Sequence, residues 1–197
     1  MVGCSGLGGY LVELLARAGV GTLRVVDGDV FERSNLGRQL LCEEALIGHG
    51  KAEAARARVA AIDQRVRVEV RSKYLTAANA TSIVSGCDVV LDGLDSVPTR
   101  LLLAEACARV GTTLVHAAVS GWRAQVTVVP PGSDVLSRIY PPHSDADVGG
   151  TLSFMPAFAA AVQAAEAIKL LAGRESNLSE RLLAVDLLTQ RWQTVAL

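Results

Sequence analysis

The run Gly3-Cys4-Ser5-Gly6-Leu7-Gly8-Gly9, set between apolar Met1-Val2 and apolar Tyr10–Ala18, most constrains what this chain can fold into. A tight glycine turn from a strand end into a helix lets backbone amides approach an anion at the helix N-terminus. Thr22–Val26 then reads as a buried strand ending at Asp27, 19 residues after Gly8. An acid at that strand end is placed to accept hydrogen bonds from ribose hydroxyls. Ser5 occupies the middle glycine position of the dinucleotide pattern. The turn therefore points to a nucleotide without separating NAD from ATP.

Downstream, strands and helices alternate. Helices are expected at Tyr10–Ala18, Lys51–Ile62, Ala77–Ser85, Pro98–Val110 and Met155–Ala172. Strands are expected at Val66–Val70, Cys87–Leu91 and Leu114–Ala118, with an antiparallel one over Trp122–Val129. Two more, Arg181–Asp186 and Arg191–Val195, close the chain. Pro130–Gly150, rich in Pro, Gly, Ser and Asp, reads as the one long loop. The fold class is α/β: a Rossmann-like doubly wound sheet, mostly parallel, with antiparallel strands in the C-terminal part. We expect a single domain over 1–197, with its nucleotide-binding part over 1–120. A crossover loop, a helix and closing strands follow over 121–197.

Composition removes several classes of function. With 19 Lys+Arg against 20 Asp+Glu, the chain lacks the basic surplus of a nucleic-acid binder. Aromatics at 4% leave few platforms for base stacking. No membrane span is expected, because the apolar stretch Phe154–Leu171 is interrupted by Gln163, Glu166 and Lys169. Cys4, Cys42, Cys87 and Cys107 form no C-x-x-C pair, and His49, His116 and His143 are scattered, so no metal cluster is expected. Reduced thiols without a secretory signal point to the cytoplasm.

A second constellation narrows the nucleotide. Asp27–Gln39 is a polar loop that brings Asn35, Arg38 and Gln39 close together, where a dinucleotide dehydrogenase has a plain helix. Arg forks grip phosphate oxygens and Asn donates an amide. Lys51 opens a helix against the dipole, a position favoured by a nearby anion. Asp92 and Asp95 follow a buried strand, at the ligand-binding edge of an open sheet, and acids beside phosphates hold Mg²⁺. Lys51 to Lys73 carries seven basic residues against three acidic ones. That is a solvated face or, alternatively, a landing site for an acidic carrier.

The strings Gly3-x-Ser5-Gly6-Leu7-Gly8, Asp27-x-Asp29…Ser34-Asn35-Leu36-x-Arg38-Gln39, Gly50-Lys51 and Asp92-x-x-Asp95-x-x-x-x-Arg100 together resemble the ThiF/MoeB/HesA family, bacterial relatives of ubiquitin-activating enzymes. The resemblance runs from Val2 to the helix that holds Lys169. It implies ATP-dependent adenylation of the C-terminal glycine of a small ubiquitin-like or sulfur-carrier protein ending in Gly-Gly. In that reading Gly6 approaches the nucleotide and Asp27 binds ribose. Ser34 to Arg38 wrap the phosphates, Lys51 reaches the α-phosphate and Asp95 holds Mg²⁺. Arg38, Lys51 and Asp95 are then the catalytic set. Gly8, Asp29, Gln39 and Ser96 complete the nucleotide site. The family also implies a homodimer.

The chain departs from the family pattern at several places. The first zinc C-x-x-C pair would fall at Val135–Arg138, where there is no cysteine, so no zinc is expected. Ala146 is the nearest match to a crossover-loop cysteine, and Ser96 stands where Asn often follows the metal-binding Asp. Relatives usually have a helical segment before the first strand; here Met1 stands two residues before the turn. The 197 residues are thus expected to be an adenylation core trimmed at both ends. Two alternatives stay open: an NAD-binding oxidoreductase, and a catalytically degenerate nucleotide-binding scaffold.

Overall fold

The computed structural model describes residues 1–141 and 150–197. The glycine turn leads into helix α1 (Gly6–Arg17), followed by strand β1 (Thr22–Val26). Next come α2 (Lys51–Ile62), β2 (Arg67–Arg71), α3 (Ala80–Val84) and β3 (Val89–Leu91). Then α4 (Val97–Val110), β4 (Thr113–Ser120), β5 (Arg123–Val129) and the short α5 (Val135–Ile139). Helix α6 (Phe154–Leu171) and strands β6 (Arg181–Asp186) and β7 (Arg191–Ala196) complete the chain.

Met1–Gly3 stitches two halves of one sheet. Val2 bridges Val26 and Asp92, both in parallel. Its amide donates to Leu91 O at 3.0 Å, and its carbonyl accepts from Gly93 at 2.8 Å. The strand order becomes β2-β1-(Met1–Gly3)-β3-β4-β5-β6-β7. Pairings are parallel through β3–β4 and antiparallel from β4–β5 onward. This is the Rossmann-like arrangement with antiparallel closing strands that the alternation and patterning implied. Along β1 the residues Leu23, Val25 and Val26 are buried, whereas every residue of β7 is exposed.

Helix α6 lies against α1 and the β3–β5 surface. It is long and apolar enough to cross a membrane by composition alone. Its packing shows another use. Met155, Ala159, Ala160 and Ala167 enter the core, and Leu11, Val12 and Leu15 of α1 join the same cluster. Each fully buried Leu or Met contributes about 1.5–3 kcal/mol. Gln163 and Glu166, two of the three residues that interrupt its apolarity, are buried and bonded, to Val115 O at 2.7 Å and Ser176 Oγ at 2.6 Å respectively, and the third, Lys169, donates to Glu166 at 2.6 Å.

Close approach explains the glycines. Gly3 has φ +91°, and a Cβ there would sit 2.5 Å from Gly93 O. A Cβ on Gly8 would sit 2.0 Å from Gly3 O. Gly8 therefore lets α1 press on the turn. The structure gives its missing Cβ a packing role beside the nucleotide contact that the motif suggested.

Three expectations shift. Helix α1 starts at Gly6 rather than Tyr10, because packing overrides the poor helix propensity of its glycines. Residues 77–79 form a turn before α3, where the Asn79 side chain accepts from Thr76 N at 2.8 Å and donates to Tyr74 O at 2.9 Å. The expected loop Pro130–Gly150 contains α5, held by fully buried Val135 and Leu136.

Candidate active site

The site forms where the turn, β1 and β3 end together. Ser5 precedes α1 without a side-chain cap. The Gly6, Leu7 and Gly8 amides have no acceptor among the described residues. Unpaired first-turn amides carry the positive end of the helix dipole, so this terminus suits an anion.

Asp27 faces that turn. Its Oδ2 accepts from Cys4 N at 2.6 Å and its Oδ1 from Asp29 N at 2.8 Å. Burial pushes its carboxyl above the ordinary range, against the pull of these two amides. Asp29 binds Lys51 Nζ at 2.5 Å, and the amide of Lys51 donates to Asp29 O at 3.0 Å. The Lys51 hydrogen bond holds the Asp29 carboxyl below its usual range. The Lys51 side chain is 3% exposed and its partner's 43%, so the ammonium is delivered from within the protein to a carboxylate at the surface.

The polar loop has an internal logic. Asn35 is buried; its Oδ1 accepts from Glu32 N at 3.1 Å, and the Glu32 side chain caps Asn35 N in return. Asn35 Nδ2 donates to Ser34 Oγ at 3.3 Å, and Leu36 packs on the core. These residues shape the loop. Arg38 donates to Ser34 O at 2.8 Å, and its own carbonyl oxygen lies 3.7 Å from a Cβ placed on Gly6. Loop and helix terminus therefore meet. Gln39 is 4% exposed, and its Oε1 has no donor among the described residues.

Asp95 is exposed and makes no hydrogen bond or ion pair among the described residues. Ser96, assigned above to the nucleotide, caps α4 in this structure: its Oγ accepts from Thr99 N at 3.4 Å and lies 2.6 Å from Thr99 Oγ1. Asp92, the other acid of the motif, is fully buried on His116 and does not face the groove.

Two cavities meet at Asp95. One is a groove of about 110 Å³ lined by Gly3, Ser5, Asp27, Asp29, Tyr74 and Asp95. The other, of about 490 Å³, lies over β4–β7 and is lined by Asp95, Arg100, Arg123, Gln125, Tyr140 and Asp186. Sequence reasoning did not find this second cavity or the polar floor beneath it. The available signals were a histidine inside apolar β4 and a tyrosine in a polar stretch. Over Lys51–Lys73, the solvated face with a carrier landing site as its alternative, most basic residues are paired: Arg56 with Glu53, Arg58 with Glu13, Arg65 with Asp63, and Arg67 and Arg71 with Glu69. The four cysteines are free thiols; burial pushes Cys107 up to about 12 and raises Cys4 further. Ala146 lies outside the described residues.

The donor set suits ATP and Mg²⁺. Uncapped helix amides and the Lys51 ammonium are donors of the kind that phosphate takes, Asp27 is an acceptor in the groove, and the Asp95 carboxylate, without a partner among the described residues, is of the kind that a hard cation takes.

The ThiF family model matches residues 1–197. The SAMP-activating enzyme E1 of Haloferax volcanii is 37% identical over 201 residues, covering 99% of this chain and 74% of its own. The adenylyltransferase and sulfurtransferase MOCS3 of Mus musculus is 39% identical over 193 residues, covering 94% of this chain. The chain spans only 42% of that relative's length. A crystal structure of E. coli MccB with ATP superposes with a TM-score of 0.80 at 21% identity, over 99% of this chain and 62% of that one. This last likeness concerns the fold. On its sequence, the chain belongs to the ThiF family.

Proposed function

We propose that the chain is an adenylyltransferase. It uses ATP and Mg²⁺ to activate the C-terminal glycine carboxylate of a small ubiquitin-like or sulfur-carrier protein, releasing pyrophosphate. The observation that carries this reading is Asp95, without a partner among the described residues and shared by the small groove and the larger cavity. A carrier tail entering the larger cavity would bring its carboxylate to the edge of the groove that takes the phosphates. A Gly-Gly ending suits so narrow a junction, because only glycine leaves the backbone without side-chain bulk.

The reaction joins a carboxylate to the α-phosphate, anion to anion. Positioning and charge supply most of the acceleration. In this reading the α1 amides hold phosphate oxygens and Asp27 holds the ribose. Arg38 and Lys51 offset charge as pyrophosphate leaves. Mg²⁺, when bound at Asp95, would neutralise phosphate oxygens. The polar loop between Asp27 and α2 disfavours the NAD-dependent alternative. We place the protein in the cytoplasm as a homodimer. The test of that assembly is sedimentation at micromolar concentration.

The functional test is ATP–pyrophosphate exchange with carriers ending in Gly-Gly. Carrier-dependent exchange supports the reading. ATP binding without exchange on any carrier favours the degenerate scaffold, and NADH binding without ATP binding favours the oxidoreductase.

A further inference from the structure

Beneath the larger cavity lies a hydrogen-bonded strut built from residues far apart in sequence. Asp92 ends β3, fully buried; its Oδ2 is 2.6 Å from His116 Nδ1 on β4. His116 Nε2 is 3.1 Å from the Tyr140 hydroxyl, just past α5. That hydroxyl also receives Arg100 Nη1 of α4 at 3.0 Å and Gln125 Nε2 of β5 at 2.6 Å.

Donor counting fixes the protons. Arg100 and Gln125 can only donate here, so they fill the two lone pairs of the Tyr140 oxygen. Its single hydrogen must go to His116 Nε2. His116 is then neutral, with its own proton on Nδ1 donated to Asp92. The Tyr140 hydroxyl and both His116 ring nitrogens are fully used. A network satisfied at its centre in this way is stiffened by its own bonds.

The strut ends on the turn that carries Asp95. Asp92 Oδ1 accepts from Leu94 N at 2.8 Å. Leu94 O accepts from Arg100 Nε at 3.2 Å and Nη2 at 2.8 Å. Both peptide groups of the residue before Asp95 are therefore tied to the network, whereas the Asp95 side chain stays free among the described residues. The larger cavity touches the same network at Tyr140, Arg100 and Gln125.

We propose that Tyr140 is a positioning residue for Asp95: through Arg100 and the His116–Asp92 pair, its hydroxyl fixes the turn that presents the metal-binding carboxylate. The inference rests on Asp95 as the Mg²⁺ ligand, and not on the identity of the carrier. Tyr140 touches neither nucleotide groove nor metal in this arrangement. It acts through the turn, so its loss weakens metal binding and leaves the groove intact.

The test is a Mg²⁺ titration of ATP binding by calorimetry on the full chain, without carrier. Tyr140→Phe keeps the ring and removes the hydroxyl, stranding Arg100, Gln125 and His116 together. The Mg²⁺ concentration at half-saturation should rise about tenfold, with ATP affinity at saturating Mg²⁺ within about twofold of wild type. His116→Gln, measured the same way, should shift it in the same direction. The Tyr140→Phe, His116→Gln double variant should be no worse than the more affected single variant, since both break one strut. A fall in melting temperature with unchanged Mg²⁺ half-saturation in both variants overturns the proposal and leaves a merely structural network. Mg²⁺-dependent ATP binding without exchange on any carrier defeats the carrier reading alone, and the titration still decides this one. Absence of ATP binding in the wild-type chain overturns both.

Discussion

The Lys51–Asp29 pair is asymmetric, and the asymmetry sets the order of two mutational costs. The lysine side chain is 3% exposed and the aspartate's 43%, with 2.5 Å between Nζ and Oδ2. Lys51→Met keeps the apolar stem in its slot and leaves behind a carboxylate that water already reaches. A pair with so exposed a partner is discounted for solvent, so the loss is about 1 kcal/mol. Asp29→Asn leaves a buried ammonium without its counter-charge. A buried charge stripped of its partner costs about 3–5 kcal/mol. The amide oxygen of Asn still accepts a hydrogen bond, which brings the expected loss to about 2–3 kcal/mol. The assay is urea unfolding followed by circular dichroism at pH 7. The pH dependence has a definite sign. Lys51 lowers the Asp29 pKa in the folded state. The stabilisation is therefore complete above the unfolded value of about 3.9 and is lost as pH falls through the folded value. The gap between wild type and Lys51→Met should narrow on acidification toward pH 3. Equal costs, or a larger cost for Lys51→Met than for Asp29→Asn, would refute the reasoning.

Three further outcomes follow from the same geometry. Gly8→Ala places a Cβ 2.0 Å from Gly3 O; it should destabilise by about 3 kcal/mol or prevent folding, read by thermal melts. Burial lowers the His116 pKa, outweighing Asp92, so the unfolded chain takes up the proton first. Its contribution should be intact above pH ~6.5 and fall below that by at most about 1.4 kcal/mol per pH unit. That slope is read as the difference between wild type and His116→Gln; a flat difference from pH 7 to 5 contradicts a neutral buried imidazole. Ser96→Ala removes the α4 cap and should cost about 1 kcal/mol with Asp95 still in place, measured by urea unfolding.

Local signals read well and assembled ones did not. The bounds of β1 and α2 follow directly from Thr22–Val26 and Lys51–Ile62, because strand burial and helix opening are short-range properties. Asp27, Asp29, Lys51 and Asp95 were legible for the same reason: each stands at a strand or helix end recognisable from its neighbours. Gly6–Gly9 concealed the first turn of α1, whose helicity comes from packing rather than propensity. Helix α5 was hidden in polar composition, although Val135 and Leu136 anchor it. The strut was the least legible part. His116 lies 24 residues from both Asp92 and Tyr140, and Arg100 40 from Tyr140, so the β3–β4–β5 register and the packing of α4 and α5 are needed to bring them together. Ser96 and Gly8 carry a second role that the motif did not show, since the fold also uses them for capping and close packing.

Asp95 offers the most direct test of adenylation, since its exposed side chain has no partner among the described residues and removing it spares the fold. ATP–pyrophosphate exchange is measured for wild type and Asp95→Ala with a carrier ending in Gly-Gly, beside their melting temperatures. The account predicts carrier-dependent exchange in the wild type and a loss of at least about 100-fold in Asp95→Ala, with melting temperatures within a few degrees. Undiminished exchange in Asp95→Ala, or none in a wild type offered its carriers, would contradict it.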